Sequence, residues 1–347
     1  MRKLLNILGA ITLIGTASTS VIACGSEHGK LPVSSEFQKV NGWTDTNGEI
    51  ASLVNVNGTV YAGTLTSNNK GKLFKISSAG VVSEVGGWKE DNGKVFSLVN
   101  VNGTVYAGTW TAAGQGKLFK ISSAGVVSEV GGWNHNNGTV YSLVNVNGTL
   151  YAGTLTSDNK GKLFKISSAG VVSEVSGWKK DNGKVLSLVN VNGTVYAGTW
   201  TVADQGKLFK ISSAGVVSKV GGWTDSNGEV LSLVNVNGTV YAGTWTSDNK
   251  GKLFKSKTDG TFELVSSWKE DNGSVYSLVN VNGTVYAGTR TAPGEGKLFK
   301  ITSADTVSEI TNWTDTNGEI RNLVNVNGKL YAGTRTANNK GNLYFKS

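Results

Sequence analysis

Residues 95–120 read VFSLVNVNGTVYAGTWTAAGQGKLFK. Two apolar runs rich in Val, Leu and Tyr flank Asn102-Gly103, a dipeptide suited to a type I′ turn because both central residues must take positive φ. The stretch is therefore a strand, a tight reversal and a second strand. After the looser TAAGQ (111–115), a third run starts at Gly116-Lys117-Leu118-Phe119. A fourth, VVSEV at 126–130, follows a small Ser-Ala-Gly turn and leads to Trp133. The unit reads as a four-stranded antiparallel meander with no helical segment.

The unit recurs at a fixed step of 45 residues: the Asn-Gly turns fall at Asn57, Asn102, Asn147, Asn192, Asn237, Asn282 and Asn327. The tryptophans that close each copy fall at Trp43, Trp88, Trp133, Trp178, Trp223, Trp268 and Trp313. A four-stranded repeat of this length is the signature of a β-propeller blade, since one small sheet buries its two faces only when neighbours stack on them. The 47 Gly and two Pro suit many tight turns. Regular aromatics and apolar alternation exclude a low-complexity disordered chain. The formal charge of +9 becomes +7 without Arg2 and Lys3, a basic excess too diffuse to argue nucleic-acid binding.

Arg2 and Lys3 precede the apolar run LLNILGAITLI, and small or polar residues then lead to Val21-Ile22-Ala23-Cys24. This is the pattern of a secretory signal whose cleavage region ends in cysteine. It resembles a bacterial lipoprotein box, and the wording SVIACG (20–25) is similar to surface lipoproteins of the mollicutes. The resemblance implies a signal peptide over 1–23 and a Cys24 that carries diacylglycerol on its sulfur. Residues 24–35 then form the lipidated cysteine and a polar tether, and 36–347 the propeller. The implied location is the extracytoplasmic face of the cell membrane, held by the lipid anchor. The alternative, an uncleaved spanning anchor, has an apolar core shorter than the roughly 20 residues a spanning helix needs. Cys24 is the only cysteine, so a monomer has no disulfide.

Seven sets of strands one to three begin near Ile50, Val95, Val140, Val185, Val230, Val275 and Ile320, and the last set lacks strand four. The missing strand is at the other terminus, where EFQKVNGW (36–43) aligns with VVSEVGGW (81–88). The expected fold is all-β, a seven-bladed β-propeller of four-stranded antiparallel blades, closed by pairing 36–43 with 341–346. An open solenoid would leave that strand unpaired. In such a meander the Asn-Gly and Ser-Ala-Gly turns share one face, and strand 36–43 starts on it directly after the tether. That face is expected toward the membrane, with the two-to-three and four-to-one loops outward. The outward loops vary more, and those after strand two alternate between NKG in odd blades and QG or EG in even ones. Two odd-type blades should therefore meet at the closure.

Three sevenfold positions are candidates for function. The closing tryptophans suit wedges between blades, with N–H groups on neighbouring carbonyls. The strand-one amides, Asn55 and its equivalents to Asn325, suit backbone satisfaction better than a channel ion site. The end of strand two changes instead of repeating, as Leu65, Trp110, Leu155, Trp200, Trp245, Arg290 and Arg335. Trp and Arg are enriched in binding hot spots, so Trp110, Trp200, Trp245, Arg290 and Arg335 are the candidate ligand contacts, against a rim-packing role. The segment from Asp45, repeated at Asp225 and Asp315, lacks the spaced oxygen ligands of a calcium loop and reads as an Asn-Gly turn.

No catalytic constellation, metal set or cofactor motif emerges. The two histidines, His28 and His135, cannot build a multi-His metal site, and nothing near His135 has a nucleophile-elbow pattern. The blade text NGTVYAGT followed by GKLFKI is similar to the repeats of quinoprotein-type and sensor-type propellers. The Trp-Asp dipeptide of one large propeller family, the double glycine of another and the Asp-box turns of sialidases are missing. The resemblance therefore implies architecture and transfers no quinone or sugar-cleaving chemistry. The expectation is a monomeric, lipid-anchored binding module, not an enzyme, with a host or environmental glycan or glycoprotein as favoured ligand. A scaffold for another membrane protein is the alternative.

Overall fold

A computed structural model describes residues 36–346 except 67–68, 157, 159 and 337–339. The expected signal peptide, the expected lipidation at Cys24 and the expected tether lie outside the described residues. Within them the chain forms seven four-stranded sheets, each an antiparallel meander, numbered through 28 strands in chain order. Blade 1 comprises β2 (Glu49–Val56), β3 (Thr59–Leu65), β4 (Leu73–Ile76) and β5 (Val82–Glu84). The Asn-Gly reversals form as expected, with Asn57 at φ 50° and Gly58 at φ 87°.

The ring closes as the alignment requires. β1 (Gln38–Lys39) pairs antiparallel with β28 (Leu343–Lys346), completing the sheet of β26 (Glu319–Val326) and β27 (Lys329–Arg335). The register sets Gln38 opposite Phe345 and Lys39 opposite Tyr344, and the Val40 N–H donates to Leu343 O at 2.8 Å. Phe37 meets Trp313 edge-on at 5.1 Å, and Lys340 of the last blade pairs with Asp45 of the first at 3.0 Å. Among the described residues, the loops after strand two share one feature in the even blades. Those of the even blades carry the bridges Ala112–Gln115, Val202–Gln205 and Ala292–Glu295.

The core lies between blades. One layer joins Leu73 of blade 1 to Val85, Trp88, Val95 and Phe119, all at 8% exposure or less. Blades approach this closely because strand two carries glycine where the next blade's valine lands. A Cβ on Gly63 would stand 2.4 Å from Val95 Cγ1. The tryptophans are wedges, 3–7% exposed. Trp88 donates its indole N–H to Gly71 O at 3.0 Å and meets Phe119 of the next blade edge-on at 5.1 Å.

One expectation is corrected. Each four-to-one loop contains a single 3-10 turn, from Asp45–Asn47 to Asp315–Asn317. The loop is not an ordinary Asn-Gly turn. The positive φ belongs to the following glycine alone (Gly48, φ 101°), which ends the 3-10 turn where a Cβ would strike Leu65 O at 2.4 Å.

Candidate functional site

Sevenfold repetition makes a channel along the ring axis, lined by strand one of every blade. At the Asn-Gly end the asparagines form a closed belt: Asn100 Nδ2 donates to Asn55 O, Asn145 to Asn100 O, and so on round to Asn55, which donates to Asn325 O at 3.3 Å. Each Oδ1 accepts from a turn glycine, as in Gly58 N–H to Asn55 at 2.9 Å. Both ends of each amide are engaged, so this belt is structural. Midway, serines stitch blade to blade, as Ser97 Oγ donates to Val140 O at 3.2 Å.

The opposite end differs from blade to blade. The first residue of strand one pairs with the last of strand two, so Glu49 faces Leu65, Lys94 faces Trp110 and Lys184 faces Trp200. Likewise Glu229 faces Trp245, Ser274 faces Arg290 and Glu319 faces Arg335. Two residues into strand one a β-bulge falls in every blade, as between Ile50 and Ser52. A bulge leaves one residue outside the ladder and re-aims its side chain. Here the bulged residues line the channel mouth, a cavity of about 210 Å³: aromatic Phe96, Tyr141 and Tyr276, aliphatic Ala51, Leu186 and Leu231, and Arg321.

The mouth is chemically lopsided. On the side of blades 6, 7 and 1, Arg321 lies between two buried carboxylates, its Nε 3.2 Å from Glu49 Oε1 and its Nη2 2.9 Å from Glu319 Oε2. Arg335 reaches Glu49 at 3.4 Å and Arg290 reaches Glu319 at 3.5 Å. Glu319 also accepts from Gly294 N–H at 2.8 Å, and the Arg321 guanidinium sits 4.4 Å over the Tyr276 ring. Three arginines thus share two carboxylates. The candidates Arg290 and Arg335 belong to this internally paired network, which holds buried carboxylates that would be costly alone.

Across the mouth the surface is aromatic. Phe96 lies 4.6 Å from Tyr141 and 6.2 Å from Trp110. A second concavity of about 200 Å³, bounded by Trp110, Gly114, Thr139 and Leu155, shares Tyr141 as its wall with the mouth. Lysines sit over two of the candidate indoles, Lys94 Nζ at 4.2 Å from the Trp110 centroid and Lys184 Nζ at 3.1 Å from that of Trp200. Burial lowers the pKa of both lysines. Burial also pushes Glu229 up to about 8, against the attraction of Lys184. Glu229 Oε1 and the indole nitrogens of Trp200 and Trp245 have no hydrogen-bond partner. All three tryptophans are half-buried.

The structure therefore brings the five nominated residues to one rim but divides them between an aromatic arc and a charged network. Sequence reasoning missed the bulged residues and the ends of strand one. The signal was present, since columns 49 and 51 vary between blades as freely as column 65. His135, the histidine within the described residues, lies exposed in its 3-10 turn with Nε2 2.8 Å from Glu129 Oε1.

Among solved structures the chain is similar to a streptogramin B lyase, at 16% identity over 90% of this chain and 97% of that one, with a TM-score of 0.69. It is also similar to the WD40 β-propeller domain of Doa1 (14% identity, 89% and 96% covered, TM-score 0.61) and to the RRP9 WD40 repeats (13%, 91% and 98%, 0.62). No protein-family model matches the chain, and no curated protein matches it. At such identities the likeness carries the fold alone: an all-β, seven-bladed propeller shared by a lyase and by WD40 repeats.

Proposed function

We propose that this protein is a binding module, not an enzyme, tethered to the extracytoplasmic face of the cell membrane through a lipidated Cys24. In this reading it takes one residue of a glycan or glycoprotein at the mouth of its channel. The observation that supports it is the position of Tyr141, which forms the shared wall of the mouth and of the groove beside Trp110. Each space is near 200 Å³, below the roughly 300–1,000 Å³ that encloses a whole small-molecule ligand, so each suits a single ring of a larger one. The aromatic faces of Phe96, Tyr141 and Trp110 offer apolar contact to the C–H face of a sugar. Lys94 supplies a donor beside Trp110. Trp200 carries Lys184 over its ring in the same way, which pairs a donor with an indole there too.

The test is binding to a glycan panel and to whole host cells by the unit 34–347, compared with Tyr141→Leu. Leucine is what blades 4 and 5 carry at this position (Leu186, Leu231), so the blade tolerates it. The expected loss is about tenfold or more, the scale of a hot-spot residue. Equal binding by parent and variant would contradict the assignment. Capture of one protein from the native membrane, with no glycan retained, would favour the scaffold alternative.

A further inference from the structure

Strand three of blades 1 to 4 carries an exposed lysine (Lys75, Lys120, Lys165, Lys210) just before the Ser-Ala-Gly turn, and none of the four makes an ion pair. Directly after the same turns stand Val81, Val126, Val171 and Val216, each 63–64% exposed. The turns between them, SSAG in all four blades, contain no carboxylate. Both features change beyond blade 4, where the equivalent lysines, Lys255 and Lys300, are half-buried. In blades 5 and 6 the valine becomes Thr261 and Thr306, and the turns acquire Asp259 and Asp305. Lys255 there pairs with Asp305 and lies 3.3 Å from Glu263. A single exposed valine needs no explanation, but four at one end of four adjacent blades, each accompanied by an unpaired exposed lysine, form a repeated apolar and cationic arc.

We infer that this arc, at the Asn-Gly end of blades 1 to 4, docks on a bilayer that contains anionic phospholipid. Two arguments select a lipid surface. Charge complementarity favours an anionic partner, and valines beside lysines suit a boundary that is apolar beneath a charged layer. Glu36, the first described residue, also lies at this end, because β1 occupies the strand-four position, which starts at the Ser-Ala-Gly turn. The inference goes beyond ligand binding at the mouth and does not depend on it.

Its test uses 34–347, a compact unit with its own closed ring, mixed with vesicles of phosphatidylcholine alone or with phosphatidylglycerol in equal parts. Each lysine near an anionic surface strengthens partitioning roughly fivefold. The parent should float with the anionic vesicles and be released by high salt. The variant Lys75→Glu, Lys120→Glu, Lys165→Glu, Lys210→Glu removes four charges and adds four of opposite sign, so it should lose binding by at least about several hundred-fold. Changing Val81, Val126, Val171 and Val216 to Ser should weaken it while leaving the salt response. A matched control on the other face, Lys89→Glu, Lys179→Glu, Lys180→Glu, Lys269→Glu, should bind like the parent, and circular dichroism verifies each fold. Failure of the parent to bind anionic vesicles, equal loss in the control, or retention on soluble heparin without vesicle binding would each overturn the inference. None of these outcomes touches the glycan assay.

Discussion

Glu229 is 3% exposed, with Oε1 unpartnered, and burial holds its carboxyl near 8 against an ordinary 4.5. The folded state therefore binds the proton more tightly than the unfolded chain does. Stability from this group is greatest below about 4.5 and falls as pH rises toward about 8. The expected loss across that window is on the order of a few kcal/mol. Glu229→Gln keeps the shape and removes the titration, so thermal melts of the variant should vary less between about pH 5 and pH 9. A parent whose melting temperature is unchanged over that range would contradict this. At this scale the sequence reveals which positions vary and hides why. Trp110 and Trp200 can be read as variable, but not as lying beneath Lys94 and Lys184, because that pairing depends on cross-strand register. Arg335 reads as a ligand contact, but its ion pair with Glu49, far away in sequence and 3.4 Å from it, is not legible from the sequence.

At the scale of elements, the 45-residue period and the Asn-Gly turns specify strands, order and closure almost completely, since local turn chemistry and strand alternation agree in every blade. Two features were not legible. The 3-10 turn at Asp45–Asn47 has three residues and no apolar period to announce it. The bulge at Ala51 follows from how strands one and two pair, which no single strand displays. Closure allows a direct test. Removing 36–43 deletes β1, the Trp43 bond to Gly341 O and the Phe37 contact with Trp313, and leaves β28 as an open edge. Differential scanning calorimetry should show a lower melting temperature, with aggregation on heating. A deletion variant as stable as the parent would mean that β1 does not seal the ring.

Taken as a molecule, the propeller separates what repeats from what varies. Tryptophan wedges, the asparagine belt and strand-two glycines are repeated nearly without change and hold the ring. The ends of strands one and two and the bulged residues differ, and they converge on one mouth because all seven blades start their inner strand there. If function resides in that variation, mouth residues can be exchanged for those of sibling blades at little cost to the fold. The most direct measurement is a paired melt and binding assay on Phe96→Leu, Trp110→Leu, Tyr141→Leu, using the residue that other blades carry in the same columns (Leu186, Leu231, Leu65, Leu155). The account predicts a melting temperature within a few degrees of the parent and loss of glycan or host-cell binding by about tenfold or more. A variant that melts like the parent and still binds like it would contradict the claim that the channel mouth is the recognition site.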